Sequence, residues 1–166
     1  MSDDHSPANG ERTGASRSPD ATPALSPIVL YDGICGLCNR SVQFVLKHDR
    51  EGIFRFASLQ SPLAARLLER HGRDASDLDT VYVVLDCDPS SGKKEGELLA
   101  RSDAVLLIMR RLGGFWGAMA GLLRLIPRVV RDWGYGIVAR IRYRVFGKYD
   151  TCPVPSAETR ERFLDL

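Results

Sequence analysis

Ile28-Val29-Leu30-Tyr31-Asp32-Gly33-Ile34-Cys35-Gly36-Leu37-Cys38 is the stretch from which the architecture can be read. Its first four residues form a continuous apolar run, the pattern of a strand buried on both faces. Asp32-Gly33 is favourable turn chemistry. Behind the turn, Val42, Phe44, Val45 and Leu46 predict a helix with a wide apolar face, ending near Arg50. Cys35 and Cys38 therefore fall where a strand gives way to a helix. Residues three apart share a helix face, so these thiols are placed to join and part as a disulfide. The helix start offers unpaired N–H groups and the positive dipole end, and both favour thiolate over thiol. Such a setting brings a free thiol below its usual pKa of about 8.5, which makes it a nucleophile near neutral pH.

Outward from this motif, Ile53-Phe54-Arg55-Phe56-Ala57 alternates as a second strand should. Ser61-Pro62 is a helix start, with serine as N-cap and proline at the first helical position; Leu63, Leu67 and Leu68 follow, up to His71-Gly72. Val81 to Leu85 reads as a third strand. Asp86 to Gly96 reads as a turn-rich connection, and Glu97 to Ala100 as a short antiparallel fourth strand. Ser102 or Asp103 is the expected cap of a helix carrying Val105, Leu106, Ile108, Met109 and Leu112, which Gly113-Gly114 breaks. Phe115 to Ile126 predicts another helix, stopped by Pro127. Tyr135 to Phe146 predicts a further one, with Ile137, Val138, Ile141 and Val145 on one side and the nearby aromatics in the core. A last short helix is expected from Ser156, burying Phe163 and Leu164.

The order strand, helix, strand, helix, strand, strand, helix is that of a thioredoxin-like α/β layer with a mixed sheet of about four strands. A β-α-β opening implies a parallel first pair and a right-handed crossover. The dithiol then sits at the C-terminal end of the first strand, where open α/β sheets place their chemistry. Residues 28–166 are read as a single domain with a helical C-terminal extension from about residue 113. Residues 1–27, rich in Ser, Pro, Ala, Gly and charge, are read as a disordered tail.

With 23 basic and 21 acidic residues, the net charge of +2 gives no reason to expect a nucleic-acid partner. Charge is unevenly placed, however: Arg110 to Lys148 holds nine basic residues against Asp132 alone. A basic, apolar-rich C-terminal half is expected either as a solvated rim or as a face for a protein partner or membrane surface. Four cysteines are too few for a stapled secreted scaffold, and no apolar stretch precedes Ile28 as a secretory signal requires. Leu112 to Leu123 is shorter than the roughly 20 residues that cross a bilayer. The expected compartment is the cytoplasm, where a Cys-x-x-Cys is catalytic or metal-binding rather than a staple.

Tyr31-Asp32-Gly33-Ile34-Cys35-Gly36-Leu37-Cys38-Asn39 closely resembles the opening of the DCC family of thiol–disulfide oxidoreductases, named for its Asp-x-x-Cys-x-x-Cys pattern. Asp32, Cys35 and Cys38 match that pattern. Phe56-Ala57-Ser58-Leu59-Gln60-Ser61, the stretch from Ser102 through Trp116 to Arg131-Asp132, and Arg142-Tyr143-Arg144-Val145-Phe146-Gly147 leading to Cys152 are similar too. The resemblance implies a thioredoxin-like fold and redox activity. One feature departs from thioredoxins: Leu78-Asp79-Thr80-Val81 lacks the proline that aligns a substrate backbone beside their sulfurs. A thioredoxin-style peptide groove is not expected here.

The expected function is therefore thiol–disulfide exchange without a bound cofactor, on a protein or small-molecule disulfide. Cys35, expected to be the more exposed sulfur, attacks, and Cys38 resolves the mixed disulfide. Electrons come from a thiol pool or a reductase. Asp32 is expected either to take the Cys38 proton as general base or only to bond backbone N–H groups in its turn. Cys152, held extended by its prolines, is either an inert thiol or folds back as a third redox thiol or ligand. Cys87, between Asp86 and Asp88, is read as non-functional. One Cys-x-x-Cys is a weak zinc signal but suits soft copper, so a metallochaperone using Cys35, Cys38 and Cys152 is the first alternative. A non-catalytic module docking through its basic helices is the second.

Overall fold

Val29 and Tyr31 face one side of the first strand and Ile28 and Leu30 the other, and all four are buried. That is why the strand is apolar throughout, and it makes β1 (Ile28–Tyr31) the centre of the molecule. The computed structural model describes residues 26–74, 78–85, 96–149 and 159–165. Residues 1–25 of the expected tail, Cys87 with its flanking aspartates, Cys152 and Ser156 lie outside the described residues.

The elements run β1, α1 (Gly36–His48), β2 (Arg55–Ser58), α2 (Pro62–Arg70), β3 (Tyr82–Val84), β4 (Leu98–Ala100), α3 (Arg101–Leu112), α4 (Gly114–Arg124) and α5 (Arg128–Phe146). The sheet order is β2-β1-β3-β4; β1 pairs parallel with β2 and antiparallel with β3, and β4 is antiparallel to β3. This is a four-stranded mixed sheet of thioredoxin-like α/β type. One face packs Ile28, Leu30, Ala57 and Val84 against Leu67 and Leu68 of α2. The other packs Val29, Tyr31, Phe56 and Val83 against Val42 and Val45 of α1 and Ala104 and Ile108 of α3. Each buried Val, Leu, Ile or Phe side chain among these contributes about 1.5–3 kcal/mol. The single turn of 3-10 helix at Arg160–Arg162 ends in Phe163, which bridges to Phe56, while the Leu164 N–H donates to the Phe56 carbonyl (2.9 Å). The C-terminal segment thus covers the outer edge of β2.

Three expectations are corrected. α3 has no side-chain cap: β4 runs directly into it through Arg101, a non-glycine residue at φ 56°. Ser102 and Asp103 instead reach α5, where the Ser102 hydroxyl bonds Asp132, and Arg131 meets Asp103 Oδ1 at 3.0 Å. Secondly, α5 begins at Arg128 rather than Tyr135. Pro127 stands at its N-cap and starts the helix as well as ending the previous segment, and Gly134 and Gly136 do not break it. Thirdly, Trp133, one of the aromatics expected in the core, is 71 % exposed, and Ile137, Val138, Ile141 and Val145 on the same helix are exposed as well. The inward side of α5 is instead Tyr135, Ala139 and Arg142, at i, i+4 and i+7. Among the described residues, no helix is long and apolar enough to cross a membrane.

Candidate active site

The turn between β1 and α1 is held by side chains on both sides of its glycine. The Gly33 N–H donates to Gln60 Oε1 (3.1 Å), and Asn39 Nδ2 donates to the carbonyls of Gly33 (2.7 Å) and Cys35 (3.0 Å). Asp32 Oδ1 accepts the Ile34 N–H (3.2 Å). So fixed, Cys35 becomes the N-cap of α1, and its sulfur accepts the Cys38 N–H at 3.4 Å. The sulfur takes the place a serine or aspartate oxygen takes at other helix starts, pairing an otherwise orphaned donor. Both thiols are unbridged. A thiolate on Cys35 therefore meets the N–H groups and the positive end of α1.

Exposure runs opposite to expectation. Cys35 is 0 % exposed, whereas Cys38 is half-buried and lines a cavity. The cause is the chain leaving α5. Gly147-Lys148-Tyr149 lies alongside Ile34-Cys35-Gly36: Cys35 and Lys148 form an antiparallel bridge, the Gly36 N–H donates to the Gly147 carbonyl (3.2 Å), and the Tyr149 N–H to the Ile34 carbonyl (2.8 Å). This strap seals the first sulfur. Gly36 permits it, since a Cβ there would stand 2.2 Å from the Phe146 carbonyl oxygen.

Beside the dithiol lies a buried ionic cluster in which sequence reasoning gave a role only to Asp32. The Asp32 carboxylate, 1 % exposed, accepts from Arg142 Nη2 (3.0 Å), the Tyr143 hydroxyl, Gln60 Nε2 (2.9 Å) and the Ile34 N–H. Arg142, 3 % exposed, also donates through Nη2 to the Leu78 carbonyl (2.7 Å) and the Tyr143 oxygen (2.8 Å), and its Nη1 lies 3.9 Å from Cys38 Sγ. The turn reading of Asp32 has a direct counterpart in its bond to Ile34. Arg142 and Tyr143 stood in a motif-like stretch, but Arg142 was counted only with the basic residues of a rim. Its inward position was hidden because helical spacing marks an aliphatic side of α5 without saying which way that side faces.

Burial, then the charge of Cys35, push the Cys38 thiol up to about 12, while Arg142 pulls the other way. Cys38 thus keeps its proton at neutral pH. Burial acts against the Arg142 charge, but the Tyr143 hydrogen bond and the neighbouring sulfurs outweigh it and keep the guanidinium protonated. The cavity, about 540 Å³, is floored by Val29, Tyr31 and Phe56 and walled by α1, α3, α4 and α5. Cys38 and Arg142 adjoin one another in its lining. Among the described residues, no group of three or more His, Cys, Asp or Glu side chains is arranged to hold a metal ion. His48 is occupied by the Phe44 carbonyl (2.8 Å) and stacks on the Phe44 ring.

Comparison with known proteins adds to this geometry. The profile of a family described as DCC1-like thiol-disulfide oxidoreductase matches residues 29–148. The chain is 35 % identical over 137 residues to the uncharacterized protein YuxK of Bacillus subtilis, covering 82 % of this chain and 93 % of that protein. It is 40 % identical over 126 residues to the DCC family protein At1g52590, chloroplastic, of Arabidopsis thaliana, covering 76 % of this chain and 68 % of that one. No solved structure matches.

Proposed function

The chain belongs to the DCC1-like thiol-disulfide oxidoreductase family, and on that premise we propose that it exchanges its Cys35–Cys38 dithiol with a substrate disulfide. The observation that carries this reading is Cys35 Sγ at the N-cap of α1, accepting the Cys38 N–H. The Cys35 thiolate attacks one sulfur of the substrate; the substrate S–S bond breaks, and the leaving thiolate takes a proton from water. Cys38 then loses its proton and attacks Cys35 Sγ, releasing the second substrate thiol and leaving a Cys35–Cys38 disulfide. The substrate gains the two electrons that the dithiol loses, and an external thiol restores the dithiol.

In this reading the high pKa of Cys38 guards against early resolution. Arg142, 3.9 Å away, supplies the positive charge that eases loss of its proton during the second step. Asp32 is a positioning residue: its oxygens are engaged by Arg142, Tyr143, Gln60 and Ile34, which fits holding the guanidinium better than accepting a proton. The strap over Cys35 must part before a disulfide reaches that sulfur.

Trapping tests the assignment. With glutathione disulfide, Cys38→Ser is expected to accumulate a mixed disulfide on Cys35, read by intact mass, while Cys35→Ser accumulates none. Trapping on Cys38 alone would reverse the two roles. Wild-type protein that never forms the Cys35–Cys38 bond under mild oxidation would end the exchange reading.

A further inference from the structure

The outer side of α4 and α5 carries apolar side chains that thiol exchange does not use. Val129, Trp133, Ile137, Ile141 and Val145 recur every four residues and are all exposed, Val129 by 80 %. Leu122 and Leu125 extend this surface through the α4–α5 turn, Leu125 again at 80 %. Exposed apolar surface of this continuity marks an interaction site. Arg124, Arg140 and Arg144 are exposed beside it, and none has an ion-pair partner among the described residues. An apolar stripe rimmed by unpaired arginines complements an anionic lipid surface, and no described helix is long and apolar enough to span one.

We infer that the α4–α5 pair lies on an anionic bilayer, with Leu125, Val129 and Trp133 in the headgroup region. Full-length protein should co-sediment with phosphatidylcholine vesicles containing 30 % phosphatidylglycerol at least tenfold more strongly than with phosphatidylcholine alone, with a blue shift of Trp133 emission. Leu125→Glu/Val129→Glu, both at largely exposed positions, should lose this binding while keeping the circular-dichroism spectrum. Equal binding to neutral vesicles, no binding to either, or a concentration-independent dimer that the same variant dissociates would refute it; the last result would give the face to a second copy.

Discussion

Gly36 stands against the Phe146 carbonyl so closely that any Cβ would come within 2.2 Å of it. Backbone meets backbone here, so no side-chain rotation relieves the contact. Gly36→Ala is expected to lower stability by about 1–3 kcal/mol, the usual cost of overpacking, and to lift the strap from Cys35. Iodoacetamide labelling followed by peptide mass mapping should then show faster modification of Cys35 than in wild type. Arg142 and Asp32 make a second case at this scale. Both are nearly inaccessible, so removing one strands the other as a buried charge. Arg142→Met alone should cost about 3–5 kcal/mol in urea unfolding. Adding Asp32→Asn should recover part of that loss. An additive double variant would mean that the pair is not coupled.

At the level of elements, helix starts divide into those a local rule explains and those it does not. Ser61 and Pro62 open α2 as their residue types predict, with Ser61 Oγ accepting the Ala64 N–H at 3.2 Å. Ser61→Ala should therefore cost about 1 kcal/mol of stability, measured as a fall in the urea midpoint with an unchanged m-value. Ser102 looked like the same device and is not one. Its hydroxyl is spent on Asp132, because α5 crosses α3 there and a sheet strand feeds α3 directly. Capping chemistry is local and readable; competition for the same hydroxyl from a distant helix is not. The same reasoning covers α5, whose apolar residues face outward and whose inward face includes an arginine. Periodicity locates a stripe but not the side of the molecule on which it ends.

The whole molecule responds to pH through groups it has buried. Cys38, Tyr135 and Tyr143 are each pushed up to about 12, foremost by burial. Unfolded, the thiol and the phenols titrate near ordinary values of 9.0 and 10.0. Above pH 9 the unfolded chain sheds protons that the folded chain retains, so stability should fall as pH rises from 9 toward 12 and show no contribution from these groups below that window. Urea midpoints of reduced protein across this range would check it. The Cys35–Cys38 oxidised form should decline less steeply, since it has no Cys38 proton to keep.

The sequence by itself determined the strand order's character, the placing of Cys35 and Cys38 at a strand-to-helix turn, and the N-terminus of α2. Each follows from interactions between residues close in the chain: apolar periodicity, turn chemistry and capping. Tertiary structure alone decided which sulfur is covered, what holds Asp32, and what lines the cavity. Those depend on α5 and its strap returning across more than a hundred residues, as the Arg142–Asp32 separation of 110 positions records. Burial and charge compensation act through space, and no local pattern carries them.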